Sequence, residues 1–228
     1  MPTLKLGFAL EGNSDYPVIP ILAQRIIKAE FPDLEIATSE RRLRKTGHGF
    51  IKELPSFARQ LNSDDDAAIV VAVVDTDNTR INERRTLMRE AKDRCSQLSI
   101  PVCVADGLAV HSMEAWLLAD ERAIFQLFDG DRSEVEFHNA EDDVNPKETL
   151  NRIVQTLTEG REITFATYAR ELAEAIRLIN LRDSCQHFDD FAGNLINCVR
   201  EWQRVENPLM LGMEMPRTTA TVRRPRKV

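Results

Sequence analysis

Two aspartates spaced two residues apart, Asp75 and Asp77, end the run Ile-Val-Val-Ala-Val-Val at 69–74. That run is too short for a bilayer span and too β-branched for a helix, so it reads as a buried strand. A strand that empties into two carboxylates puts like charges at the carboxyl edge of a sheet. They repel unless a cation stands between them, and oxygen ligands suit Mg2+ or its close relative Mn2+. A second apolar strand, Leu4–Leu10, also ends in acid, at Glu11-Gly12-Asn13-Ser14-Asp15. Gly12 permits a tight turn, and Ser14 or Asp15 is placed to cap the following helix. Joined to the aspartates, Glu11 becomes a candidate metal ligand or general base.

Further along, His111-Ser112-Met113-Glu114 opens a helical stretch with Ser112 as a plausible N-cap. Glu114 would complete a carboxylate set if it reached the same edge. Asn145-Pro146-Lys147-Glu148 reads as a helix start with a capping box. Lys147 is then an exposed cation that could meet transition-state charge on a phosphate. His48, between Gly47 and Gly49, is placed to approach a ligand. His187 and Arg182 carry no comparable signal.

The elements that must position these groups alternate through the first half. Strands are expected at Leu4–Leu10, Leu34–Thr38, Ala67–Val74 and Ile100–Ala105, with Asp106-Gly107 as a turn. Helices are expected at Val18–Glu30, Phe50–Leu61 and Asn82–Leu98. Such alternation argues an α/β parallel-sheet core with helices on both faces, and ligands gather outside the carboxyl ends of its strands. The second half is helical: Met113–Leu127, Asn145 to about Leu157, Tyr168–Ile179 and Phe188–Arg204. The expected division is a core at 1–110, a helical C-terminal region at 111–205 and a basic tail at 206–228.

The net charge of −7 over 228 residues hides an asymmetry. From Pro216 onward there are five cations and no acid, so the rest of the chain is near −12. An acidic body argues against a generic nucleic-acid binder, whose footprint is a basic face. No stretch approaches the roughly 20 apolar residues of a membrane span, and no secretory signal is recognisable at the N-terminus. Cys95, Cys103, Cys185 and Cys198 sit at no metal-knuckle or redox spacing. Reduced, mostly buried thiols in a cytoplasmic protein are expected.

A first strand ending in Glu-Gly-x-Ser-Asp and a third ending in Asp-x-Asp resemble the Toprim pattern of topoisomerases, bacterial primases and the overcoming-lysogenisation-defect nucleases. The resemblance implies Asp75 and Asp77 as Mg2+ ligands and Glu11 as an acid/base or metal-proximal residue. In the nuclease branch, a Ser-x-Glu motif and a lysine further along help build a two-metal site. Ser112-Met113-Glu114 matches the first, and Lys147 stands for the second. More narrowly, Glu114–Asp120, Asn145–Glu148 and the Arg182–Phe188 segment resemble the small stand-alone Toprim-like proteins of the DUF4276 group, over nearly the whole chain up to about 205. That group implies an ABC- or SMC-like ATPase partner and a setting in phage defence. A topoisomerase also needs a nucleophilic tyrosine on a DNA-gripping domain, for which there is no room, and a primase needs a template-binding module.

The expectation is therefore a metal-dependent nuclease acting on DNA or RNA, with metal at Glu11, Asp75, Asp77 and Glu114. The basic segment Arg41–Lys45 would grip the phosphate backbone. Two alternatives stand beside it. Asp75-Thr76-Asp77-Asn78-Thr79 also fits the Asp-x-Asp-x-Thr start of haloacid-dehalogenase-like phosphatases, with Asp75 as nucleophile, although that motif normally lies on the first strand of its core. The second alternative is a non-catalytic regulatory subunit of an ATPase complex.

Overall fold

The computed structural model describes residues 2–42, 46–76, 81–129, 135–161 and 163–206. Among them lie four strands, β1 (Leu4–Leu10), β2 (Ile36–Arg42), β3 (Ile69–Asp75) and β4 (Cys103–Ala109), in one all-parallel sheet of order β2-β1-β3-β4. The helices are α1 (Ile19–Glu30), α2 (Gly47–Asp65), α3 (Ile81–Gln97), α4 (Glu114–Leu118), α5 (Glu121–Phe128), α6 (Pro146–Leu157), α7 (Phe165–Ala175), α8 (Leu178–Ser184) and α9 (Gln186–Glu206). The α/β class, the parallel sheet and the helical second half agree with expectation. No helix among the described residues is long and apolar enough to cross a membrane.

Strand alternation builds the two faces of the sheet. Leu6, Phe8 and Leu10 of β1 with Ile69, Val71 and Val73 of β3 face one large core that also takes in α1 and helices α4 to α9. Ala9, Val70, Ala72 and Val74 face the other, closed by α2 and α3. β3 is covered on both faces, which is why its sequence is an unbroken apolar run. The chain leaves β1 for β2 on one side, then returns to β3 on the other. The switch point therefore falls between β1 and β3, where an open parallel sheet offers a crevice. Register places Leu10 beside Val73 and Asp75 beside Ala109, so residues 11, 75 and 110–112 share one rim.

Several boundaries differ from expectation. β2 begins later than the expected Leu34–Thr38 and runs on through Arg42, and α2 begins at Gly47 rather than at Phe50. β4 lies later than expected, and Asp106-Gly107 is inside it rather than in a turn. Asp106 tolerates a strand because Lys92 Nζ and Asn194 Nδ2 meet its carboxylate. Gly107 is needed where the Phe191 ring presses on the strand: an added Cβ would lie 2.9 Å from Phe191 Cδ2. The single helix expected at 113–127 is two, α4 and α5, broken at Asp120. The carboxylate of Asp120 caps nothing. It accepts hydrogen bonds from the backbone N–H, Nε and Nη2 of Arg177 at 2.9, 3.1 and 3.0 Å. The helix expected at 168–179 is likewise two, α7 and α8.

The cysteine expectation is corrected. α9 packs along β4 and brings Cys103 and Cys198, 95 residues apart, into a disulfide with Cα atoms 5.6 Å apart. Cys95 and Cys185 are free and buried.

Candidate metal centre and adjoining groove

The carboxyl rim gathers four acids: Glu11, Asp15, Asp75 and Glu114. Each is held by a different element. Glu11 follows β1 directly, and its Oε1 accepts the backbone N–H of Gly47 at the start of α2. Gly47 has φ +57°, and a Cβ there would lie 3.1 Å from the guanidinium of the buried Arg84. Asp15 is 5% exposed. Its Oδ2 accepts the N–H of Gly12 at 2.8 Å, and its Oδ1 accepts the Ser14 hydroxyl at 3.3 Å. The expected cap on the next helix is thus not made by either side chain; α1 starts at Ile19 without a side-chain cap. Asp75 ends β3, and its Oδ1 accepts the N–H of Met113 at 3.0 Å. Glu114 opens α4, is 3% exposed, and has a buried Oε1 with no hydrogen-bond partner among the described residues.

The electrostatics show that these groups feel one another. Burial, and then the charges of Asp15, Glu114 and Glu11, push the Asp75 carboxyl up to about 8, against which the Met113 N–H works in the other direction. Burial also raises Asp15 to about 6, aided by Glu114 and Glu11 and opposed by the Gly12 and Ser14 hydrogen bonds. Burial and the Glu114 charge raise the Tyr168 hydroxyl as well. Like charges concentrated in a shielded crevice mark a candidate functional site.

An all-oxygen donor set suits a hard divalent cation, and the orphaned Glu114 oxygen together with the raised Asp75 and Asp15 fits one. Such an ion would meet a net negative pocket and a buried acceptor without a donor. Among the described residues, no group of three or more His, Cys, Asp or Glu side chains is gathered as a ready metal cage. Glu11, Asp15 and Asp75 each accept a separate backbone donor, from Gly47, Gly12 and Met113 respectively.

Of the residues expected from sequence, Glu11, Asp75 and Glu114 come together. Asp77 lies outside the described residues, as do Leu43, Arg44 and Lys45. Asp15 joins the set, although its sequence context suggests only a cap. Its proximity to a second acid in a Gly-containing turn was the available signal. Ser112 is not an N-cap: α4 begins after Met113, and the Ser112 hydroxyl is buried without a partner among the described residues. Arg41 is not free to hold a backbone, since it pairs with Asp64 at 2.6 Å and Asp65 at 3.1 Å at the end of α2. His48 pairs with Glu83 at 3.0 Å. Arg182 pairs with Asp189 at 2.6 Å, and His187 with Glu141 at 3.1 Å.

Beside the acids runs a groove of about 920 Å³, lined among others by His111, Ser112, Lys147, Asn151 and Arg152. Lys147 is exposed on this wall, at the start of α6. The capping box expected there is not formed, because Asn145 makes no side-chain cap. The loop leading to α6 is anchored instead by Glu141, whose carboxylate accepts the N–H groups of Gln186 and His187 at 3.1 and 3.0 Å. It thereby caps α9 across 45 residues of sequence. α9 in turn braces α4: Trp116 is fully buried, stacked on Phe191 and edge-on to Phe188 at 5.6 and 5.1 Å.

Among solved structures, the chain is similar to the C-terminal region of the Burkholderia pseudomallei OLD protein, at 15% identity and a TM-score of 0.40, over 87% of this chain and 100% of that one. No curated protein matches it. A family model described as a domain of unknown function, DUF4276, matches residues 10–196, the span that holds the acidic rim and the groove, and the chain belongs to that family.

Proposed function

We propose that the protein is a divalent-metal-dependent nuclease that hydrolyses phosphodiester bonds in DNA or RNA. The observation that carries this is the convergence of Glu11, Asp15, Asp75 and Glu114 on one rim, where burial and the neighbouring acids push Asp75 up to about 8. The resemblance of the two acid-ended strands and of Ser112-Met113-Glu114 to Toprim nucleases supports the same chemistry. Asp75, Asp77 and Glu114 would hold Mg2+ or Mn2+, with Glu11 as ligand or general base. A cation held there supplies positive charge to the scissile phosphate and makes water a stronger nucleophile.

The chain's own groups then have defined tasks. Met113 N–H fixes the Asp75 carboxylate in one orientation. Gly47 N–H binds one oxygen of Glu11, which orients the other. Trp116, clamped by α9, keeps α4 and hence Glu114 rigid. Lys147 brings a cation to the groove beside the acids, where a phosphate would lie. The ATPase partner and the phage-defence setting implied by the DUF4276 resemblance are part of the proposal and rest on that resemblance alone.

The test is cleavage of labelled DNA and RNA by the full-length chain with Mn2+ or Mg2+, alone and with an ATPase encoded beside it. Divalent-dependent cutting that Glu11→Gln and Asp75→Asn abolish supports the proposal. A folded wild-type chain that cuts neither polymer under any of these conditions overturns it. An aspartyl-phosphate trapped on Asp75 would instead establish the phosphatase alternative.

A further inference from the structure

We infer that the groove beside the acidic rim seats one flank of the substrate as a single strand and grips its backbone without reading its bases. The inference rests on the nuclease proposal for its ligand and goes beyond it in assigning the seat and its specificity.

The wall of the groove is one face of α6. Residues four apart share a helix face, and Lys147–Asn151–Gln155 and Glu148–Arg152 form two adjacent rows on the groove side. Leu150, Ile153, Val154 and Leu157 point the other way, into the core. The opposite side is formed by His111 and Ser112, which lead directly into Glu114. His111 has φ +60°, and its backbone N–H donates to the buried Thr76 Oγ1 at 3.3 Å, which fixes this turn against the end of β3. His111 Nδ1 and Ser112 Oγ are shielded from bulk water and have no hydrogen-bond partner among the described residues. Polar atoms left so are costly unless a ligand completes them. Lys147, Arg152, His111 and Ser112 thus line one cleft, with Glu148 an acid on its wall.

Size and chemistry narrow the occupant. The groove follows α6 from Asn145 to Gln155, about 15 Å at 1.5 Å per residue, the length of at most about four nucleotides, since 3.4 Å each is the spacing of a duplex strand and an unstacked strand is longer. Single-strand sites that stack bases use aromatic platforms, and among the described residues no Phe, Tyr or Trp lines this groove. Asparagine reads adenine by using both ends of its amide. Asn151 lacks that freedom, because its Oδ1 accepts the hydroxyl of the buried Tyr168 at 2.8 Å. Only its N–H groups remain, and they suit phosphate or sugar oxygens. Tyr168 is therefore a positioning residue for Asn151.

The experiment is fluorescence anisotropy of short oligo-dT, oligo-dA and the matching RNA strands with the full-length chain, in Ca2+ to prevent turnover, across a salt series. Each lost phosphate contact should lower the slope of log affinity against log salt by about 0.7. Arg152→Gln and Lys147→Gln are each expected to do so, while Arg85→Gln on α3 leaves the slope unchanged. Oligo-dT and oligo-dA are expected to bind within about threefold of each other, because a base-specific pair would separate them by about tenfold or more. Tyr168→Phe is expected to weaken both equally. A wild-type chain that binds strands and cuts them, with slopes unaltered by Arg152→Gln and Lys147→Gln, overturns the groove while leaving the nuclease proposal standing. Binding that these variants weaken, by a chain that never cuts, upholds the groove and removes the nuclease. A base preference of about tenfold or more overturns the claim of backbone recognition.

Discussion

At the scale of single residues, the acids on the rim would stabilise a bound cation, and their mutual repulsion and burial destabilise the free chain. Asp75 has its ordinary value of 3.8 when unfolded and about 8 when folded. Between those limits the folded state holds the extra proton, so stability falls as pH rises from about 4 to 8. Without divalent ions, the melting temperature should decline over this window. Asp75→Asn should remove most of the decline and raise the midpoint at pH 8 by about 5 °C, a conservative share of the linkage. An equal decline in the variant would show that Asp75 is not the group responsible. Cation uptake must displace the same protons. Affinity for Mn2+ should therefore increase with pH through 6 and 8, the values to which Asp15 and Asp75 are raised. The meeting of Glu11, Asp75 and Glu114 on one rim was legible in the sequence because each follows or opens an element whose apolar pattern is plain. Asp15 was not, since an aspartate after a glycine turn has a sufficient structural explanation as a cap until the fold buries it beside other acids.

At the scale of elements, the parts that sequence misplaces are those set by distant contacts. The α4–α5 break was invisible because Asp120 is fixed by Arg177, 57 residues away. Asp120→Ala should remove those hydrogen bonds from a buried site and cost about 1–3 kcal/mol in denaturant unfolding. A change near zero would mean that the break is set by the chain around it. β4 was misplaced because Asp106-Gly107 has the chemistry of a turn, and only α9 reveals why a strand needs it. Gly107→Ala should force the Phe191 ring or the strand aside and cost about 1–3 kcal/mol. An unaltered unfolding midpoint would show that Phe191 moves freely. By contrast β1 is as expected over Leu4–Leu10, and α6 ends near Leu157, because periodicity and a Pro start are local signals.

At the scale of the whole molecule, the second half serves the first. α9 lies on β4, clamps Trp116 behind Glu114, and is itself capped by Glu141 from the loop that leads to α6. The acid rim and the groove wall are thus joined through one helix. The Cys103–Cys198 disulfide fixes that helix at its far end from the site. It closes a loop of 95 residues, so reduction should lower stability by about 2–4 kcal/mol, measured as a shift in denaturant midpoint with and without dithiothreitol. Equal midpoints would show that the packing of α9 on β4 suffices without it. Parallel topology was legible from alternation alone; the pairing of two scattered cysteines was not, because it depends on how α9 returns across the sheet.

The central claim is that acids distant in sequence share a divalent cation on the carboxyl rim. Calorimetric titration of the cation-free chain with Mn2+ at pH 8 tests it most directly. Saturable uptake by the wild type, weakened at least about tenfold in Asp75→Asn and in Glu114→Gln while both variants remain folded, is the predicted result. Equal uptake by wild type and both variants, or none by a folded wild type, would contradict it.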